Sequence, residues 1–179
     1  MKNLFYAFVI LAGLMFACQS SPKQEPTKLT GQQQAVDTTQ APQGKPIPAA
    51  WKKLSNKVGE YMYDTIFLAT PAVHDSLERI LPKAAFDDMM LNWDVASDLK
   101  RFNNLLVANG CKHENCFSDM WIVVIDMAHD AVNAYNIRDR KLYVYTGSRQ
   151  INLPEGLQQY ITKMKRNGNV PDNAVEIVN

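Results

Sequence analysis

The sequence predicts an α+β domain in which an antiparallel β-sheet, arranged as a meander, is flanked by helices. Apolar residues at helical spacing come first, between about residues 70 and 93. Strand-like apolar runs then occupy residues 104–146, joined by short polar segments, and a last helical pattern follows Pro154. Helices followed by consecutive strands and a further helix are typical of α+β domains, in which neighbouring strands joined by short turns pair antiparallel.

Three helices are predicted from apolar spacing and from end signals. The first begins at the N-cap candidate Thr70, has Pro71 in its first turn and stops before Pro82. Its apolar positions are Val73, Leu77, Ile80 and Leu81. The second has an apolar stripe that predicts core packing rather than ligand binding, formed by Phe86, Met89, Met90 and Trp93. The third follows Pro154 and ends at Gly168, with the apolar positions Leu157, Ile161 and Met164.

Four strands are predicted between the second and third helices. Residues 104–108 and 121–127 flank a segment with two cysteines, whereas residues 132–138 and 141–146 form a hairpin. The continuously apolar run at residues 121–125 predicts a central strand that is covered on both faces. Cross-strand contacts in the hairpin are predicted for Tyr135, Ile137, Tyr143 and Tyr145.

The N-terminal residues have the organisation of a signal peptide. Lys2 supplies the positive start, the apolar run from Leu4 to Met15 is short for a membrane span, and Ala17 precedes Cys18. This arrangement resembles the lipobox of bacterial lipoproteins, in which the cysteine after the cleavage site is lipidated. We therefore predict a signal peptide at residues 1–17, lipidation of Cys18 and an outer-membrane lipoprotein of the cell envelope, on either its periplasmic or its surface face. An uncleaved N-terminal anchor would also place the domain outside the cytoplasm.

Residues 18–49 are predicted to be a linker, and residues 50–179 the folded domain. The linker is rich in Gln, Thr, Pro and Ser and has few large apolar side chains, so it cannot bury a core. Coil scaling gives it a reach on the order of 30 Å. Removal of residues 1–17 takes away Lys2 and no acidic residue, which leaves basic and acidic residues equal in number. Balanced charge without a basic run argues against nucleic acid as a partner.

Residues 110–116, with the sequence GCKHENC, form the most distinctive motif of the domain. With Cys18 assigned to the lipid, Cys111 and Cys116 remain as a pair in an oxidising compartment, so a disulfide is the leading interpretation. Zinc is disfavoured because its structural sites take four ligands and often use C-x2-C spacing. Redox exchange is disfavoured because it favours C-x-x-C at a helix start. The disulfide could fix the enclosed side chains for recognition or could simply secure a hairpin turn.

The cysteine loop, the small residues before it and the apolar strand after it resemble the Ivy family, inhibitors of vertebrate lysozyme, and the Ivy-like lipoproteins. The similarity runs from about residue 59 to residue 146 and includes the Phe86 to Trp93 segment and Ile137-Arg138. It implies an antiparallel sheet with helices, self-association into a homodimer, and a stapled loop that enters the lysozyme cleft.

The loop of this chain departs from the family sequence C-K-P-H-D-C, in which the histidine contacts the catalytic carboxylates. His113 stands one position earlier than the family histidine, at the place of the proline. Glu114 takes the histidine position and Asn115 replaces the aspartate. A carboxylate there would meet like charge in a cleft that contains two carboxyl groups.

Two functional hypotheses follow, and both are noncatalytic. The first is a lipid-anchored protein that blocks a lysozyme-type glycosidase with a loop formed by Lys112, His113, Glu114 and Asn115. The second is an envelope lipoprotein of the same fold that binds another partner. No cofactor, no metal and no catalytic residue is predicted, because no nucleophile with a base, glycine-rich phosphate loop or spaced carboxylate pair stands out. Asp87 and Asp88 are predicted to be a solvated helix face.

Overall fold

The computed structural model describes residues 46–178. The predicted signal peptide, the lipidation site Cys18 and nearly all of the predicted linker lie outside the described residues. The helices are α1 (Ala49–Ser55), α2 (Pro71–Ile80), α3 (Lys83–Leu91) and α4 (Glu155–Asn167). The strands are β1 (Val95–Ala96), β2 (Lys100–Phe102), β3 (Leu105–Cys111), β4 (Asp119–Asp126), β5 (Ala131–Arg138), β6 (Lys141–Thr146) and β7 (Val175–Val178).

The strands form one sheet in the order β1-β3-β4-β5-β6-β7, and β2 pairs with another part of β3. All pairings are antiparallel except that of β6 with β7, which is parallel. The α+β prediction is therefore confirmed, and the predicted meander is β3 to β6. The parallel edge strand β7 was not predicted, because its four residues are too short and too exposed to stand out as a strand pattern.

Helices cover both faces of the sheet and create two hydrophobic cores. Trp121, Val123 and Ile125 of β4 belong to the first core, which includes buried residues of α1, α2 and α3. The alternate residues Ile122 and Val124 belong to the second core, together with α4. This alternation confirms that β4 is a central strand covered on both faces, because successive strand residues point to opposite faces.

The predicted helices are present, with three differences in detail. Thr70 is the N-cap residue of α2, but its hydroxyl donates to the Ile66 carbonyl at 2.7 Å and does not cap the helix. Trp93 lies beyond the end of α3 and is 1% exposed, with its indole N–H donating to the Met62 carbonyl. Met90 is 37% exposed, so its predicted place in the core was wrong. The short helix α3 buries Met89 and turns Met90 towards solvent.

The predicted hairpin is confirmed as β5 and β6. Its two-residue turn, Asp139 and Arg140, has φ of 52° and 59°, and two positive φ values are typical of a type I′ turn. Tyr135 and Ile137 face Val144 and Leu142 across the hairpin, whereas Tyr143 and Tyr145 face Asn136 and Ala134. The four residues predicted to make cross-strand contacts therefore do not pair with one another. Within residues 46–178, no helix is long and apolar enough to cross a membrane.

Candidate binding loop

The Cys111–Cys116 disulfide closes the segment between β3 and β4, as predicted. The Cα atoms of the two cysteines are 4.9 Å apart. Cys111 is the last residue of β3, is 4% exposed and pairs with Val95 of β1 and Met120 of β4. One end of the disulfide is therefore anchored in the sheet, and the loop projects from the sheet end.

A tight turn defines the tip of the loop. The Asn115 amide donates to the Lys112 carbonyl at 3.0 Å, which closes a four-residue β-turn. Glu114, at the third position of this turn, has a φ of 67°. A positive φ at this position alone is typical of a type II turn, which favours proline at the second position and glycine or asparagine at the third. The backbone amides of Ser118 and Asp119 then donate to the Asn115 carbonyl at 3.0 and 2.8 Å, so the loop is fixed on both sides of the tip.

The side chains at the tip are exposed. The side chains of His113 and Glu114 are 75% and 86% exposed, and their Nδ1 and Oε1 atoms lie 3.9 Å apart. Lys112 and Asn115 are also exposed. The four residues of the predicted binding loop thus share one rigid and accessible tip.

Metal chemistry has little support at this loop. Both cysteine sulfurs are in the disulfide, so neither is a thiolate ligand. Within residues 46–178 there is no group of three or more His, Cys, Asp or Glu side chains that could hold a metal ion. Of the other two histidines, His129 contacts Asp126 through Nδ1 at 2.6 Å, and His74 packs edge-on against Phe86.

An exposed aromatic side chain next to the loop was missed by the sequence interpretation. Phe117 directly follows Cys116 and is 66% exposed. Val95, the strand partner of Cys111, is 38% exposed. We call Lys112, His113, Glu114, Phe117 and Val95 the loop-end surface. The sequence did contain a signal for this residue. Phe117 is a large aromatic residue next to Cys116, and it belongs to no apolar pattern that would direct it into the core.

Asp88 is not a solvated residue, and this part of the prediction was wrong. Its carboxylate accepts from Asn92 Nδ2 at 2.8 Å and from the indole N–H of Trp121 at 3.3 Å. Arg138 Nη1 lies 3.4 Å from Asp88 Oδ2. Asp87 is exposed and pairs with Lys83, as expected for a solvated face. Asp88 instead joins α3 to β4 and β5 near the loop end of the sheet.

Asp119, the first residue of β4, lies beside this polar group. Burial raises the pKa of the Asp119 carboxyl above its usual value, and the negative charge of Asp88 raises this pKa further. A hydrogen bond from Asn136 and the positive charge of Arg138 act in the opposite direction. The base of the loop therefore contains two acidic side chains that share one arginine.

The fold and the loop define a protein that presents a rigid, disulfide-closed loop at one end of a helix-covered sheet. A comparison with protein-family models matches residues 72–167 to the inhibitor of vertebrate lysozyme (Ivy) family. This match covers more than half of the chain and extends from α2 to α4, with the loop near its centre. The chain belongs to the Ivy family. The matched region begins and ends later than the predicted similarity of residues 59–146.

Searches of the curated proteins and of the solved structures found no match to this chain.

Proposed function

We propose that this protein is a lipid-anchored inhibitor that inserts its stapled loop into the cleft of a lysozyme-type glycosidase. The observation that carries the proposal is the disulfide-closed tip, which holds His113 and Glu114 exposed at the end of the sheet. A loop that is already ordered loses little conformational entropy when it binds. Membership of the Ivy family supports the class of partner.

The turn geometry supports an assignment of roles within the tip. His113 occupies the second position of the turn, where the family sequence has proline, and Glu114 occupies the third position, where the family has histidine. Lysozyme clefts contain one carboxyl group that is protonated and one that is ionised. An imidazole can donate a hydrogen bond to such a carboxylate, whereas Glu114 would repel it. In the proposed complex His113 is the residue that contacts the enzyme carboxylates, and Glu114 opposes binding.

The rest of the loop-end surface supplies apolar contact. Phe117 follows Cys116 in the chain, Val95 pairs with Cys111 in the sheet, and both are exposed. Interface energy is concentrated in a few residues, often aromatic, that become fully buried on binding. Phe117 is the aromatic candidate for such a contact, on the rim of the enzyme cleft.

The lipid anchor and the envelope location are part of the proposal and depend on the sequence. Cys18 follows a signal-peptide pattern, and the polar linker would hold the domain on the order of 30 Å from the membrane. A tether of this length would let the loop meet a glycosidase that is attacking the peptidoglycan near the outer membrane.

An inhibition assay tests the proposal. The full mature chain, purified in detergent, is assayed at micromolar concentration against several types of lysozyme, with and without reductant. We expect inhibition of at least one type, which is weakened by reductant and by His113→Ala. The control Glu78→Gln alters an exposed residue of α2 and should inhibit as the unchanged chain does. If no lysozyme is inhibited, or if His113→Ala has no effect, the proposed role of the loop is wrong.

A second candidate function is binding of a different envelope partner by the same loop. Glu114 favours this alternative, because it places a carboxylate where the family has the histidine that enters the cleft. Pull-down from detergent-solubilised envelopes, with Glu114→Ala as the comparison, tests it. A partner captured by the unchanged chain and lost with Glu114→Ala supports the alternative, and capture of a lysozyme alone contradicts it.

A further inference from the structure

A cavity lies at the opposite end of the sheet from the stapled loop. It has a volume of about 530 Å³ and lies between the end of α2, the start of β5 and the end of β6. The β5 strand runs from Ala131 at this cavity to Arg138, which pairs with Asp119 near the loop. At about 3.3 Å per residue, the two ends are roughly 23 Å apart.

Two arginines line this cavity, and neither has a carboxylate partner among the residues that the structure describes. Arg79 comes from α2 and Arg149 from the segment after β6. No carboxylate oxygen of residues 46–178 lies within 4.0 Å of either guanidinium group. Two unpaired guanidinium groups at one cavity favour an anionic ligand, because they supply several donors and cannot lose their charge at neutral pH.

Buried polar residues contact the Arg79 side chain and the backbone at Arg149. Arg79 Nη2 donates to the Ser76 hydroxyl at 3.1 Å, and Ser76 is 7% exposed. The fully buried Asn133 contacts the segment after β6. With its amide oriented for hydrogen bonding, Nδ2 donates to the Arg149 carbonyl at 3.2 Å and Oδ1 accepts from the Ile151 amide at 3.0 Å. The cavity wall is therefore anchored to the sheet.

The remaining lining suits a polar ligand of limited size. Thr146 and Ser148 contribute hydroxyl groups. Gly147 lies close to α2, since a β-carbon there would be 3.1 Å from Ile80 Cγ2. The acidic residue of the lining, Asp130, already accepts a hydrogen bond from the Trp51 indole N–H at 2.7 Å. Because the indole N–H is neutral, Asp130 keeps its negative charge, and the lining carries two positive charges and one negative charge.

We propose that this cavity, which we call the arginine pocket, binds a monosaccharide-sized polar molecule with one carboxylate or phosphate group. Arg79 and Arg149 hold the anionic group through charge-assisted hydrogen bonds, and the hydroxyl groups contact the neutral part of the ligand. The volume lies within the range of roughly 300 to 1,000 Å³ that is common for small-molecule sites. In an envelope protein the anionic group could belong to a sugar acid of the cell wall or to a phosphate ester.

Calorimetric titration of the full mature chain tests the arginine pocket. The probes are N-acetylmuramic acid, which carries a carboxylate, glycerol 3-phosphate, which carries a phosphate, and N-acetylglucosamine, which is of similar size to the first and uncharged. We expect saturable binding of at least one charged probe and none of the uncharged sugar. Binding of the carboxylate probe alone assigns a sugar acid, and binding of the phosphate probe alone assigns a phosphate ester.

Substitutions of single arginines test whether the ligand binds in the arginine pocket. Arg79→Gln and Arg149→Gln should each weaken it about tenfold, since each removes charge-assisted hydrogen bonds. Arg101→Gln, which changes an exposed arginine of β2, should leave it unchanged. Both pocket arginines are exposed, so melting curves should show folded variants. The proposal is overturned if neither charged probe binds, if N-acetylglucosamine binds equally well, or if both pocket variants bind as the unchanged chain does.

Discussion

The imidazole of His113 and the carboxylate of Glu114 lie 3.9 Å apart at the tip of the stapled loop, and both are exposed. The type II turn places them at its two central positions, with the positive φ at Glu114. A partner that meets this tip therefore meets a donor and a negative charge together. This relationship makes the proposed inhibitor sensitive to single substitutions in the tip.

Replacement of Glu114 by glutamine should strengthen inhibition of a lysozyme. The change removes a negative charge that would face the ionised carboxylate of the cleft and keeps a side chain of similar shape. We expect the inhibition constant to fall by about threefold to tenfold, as measured in the assay above at low and high salt. The double variant His113→Pro with Glu114→His restores the family order in the tip. Its inhibition constant should be lower still. Weaker inhibition by both variants would show that Glu114 attracts the partner.

Replacement of Phe117 by alanine should weaken partner binding and leave the fold intact. Phe117 is 66% exposed, so its removal costs little in the free protein. Loss of an aromatic side chain that is buried on binding costs about 2 kcal/mol or more, which is roughly thirtyfold in affinity. The same change at Tyr61, which is 60% exposed but outside the loop-end surface, serves as the control. Equal affinities of Phe117→Ala and the unchanged chain would exclude Phe117 from the interface.

Replacement of Asp119 by asparagine should stabilise the protein at neutral pH. Because burial and Asp88 raise the pKa of Asp119, the folded state holds this proton more tightly than the unfolded state does. Ionised Asp119 therefore costs stability above its raised pKa, and this cost disappears as the pH falls from the raised pKa towards about 4.

The expected gain at pH 7 is a small increase in Tm, because Asn136 and Arg138 offset part of the cost of the charge. Melting curves from pH 3 to pH 8 measure it, and the difference between the two proteins should vanish at the acidic end. Asp87→Asn is the control, since Asp87 is exposed and pairs with Lys83. A gain from Asp119→Asn that persists unchanged at pH 3 would contradict the electrostatic explanation.

Replacement of Gly110 by alanine should destabilise the loop end of the sheet. A β-carbon at Gly110 would lie 2.2 Å from Trp93 Cδ2, and Trp93 cannot move easily because it stacks on Phe67 and donates to the Met62 carbonyl. Overpacking of this kind costs about 1 to 3 kcal/mol, which urea unfolding can measure.

Gly156→Ala is the matched control for that experiment. Gly156 lies in the first turn of α4, and a β-carbon there would be 3.7 Å from Phe102, which is ordinary contact. We expect this change to be neutral or to stabilise by up to about 1 kcal/mol, because alanine has less freedom in the unfolded chain. If both alanine variants unfold at the same urea concentration, the close contact with Trp93 is not what requires glycine at position 110.

Much of the fold could be predicted from local patterns. The helix from Pro71 to Ile80, the central strand β4 and the β5–β6 hairpin are confirmed because their apolar spacing and end signals lie within the segments themselves. The elements that were missed are short: α1 has seven residues, and β1, β2 and β7 have two, three and four. The three strands also depend on pairing with residues elsewhere in the chain. The wrong prediction for Met90 has a similar cause. Apolar spacing alone does not show which residues of a short helix face away from the core.

The amino-acid sequence by itself determined the family resemblance, the α+β class, the pairing of Cys111 with Cys116 and the altered residues of the loop tip. These features depend on local periodicity and on residues close together in the chain. Only the tertiary structure decided that Glu114 lies at a positive φ, that Asp88 is held by Trp121 and Arg138, and that Arg79 and Arg149 line one cavity. The positive φ of Glu114 is a backbone conformation of the folded turn. The other two relationships join residues far apart in sequence, which the packing of the helices on the two sheet faces brings together.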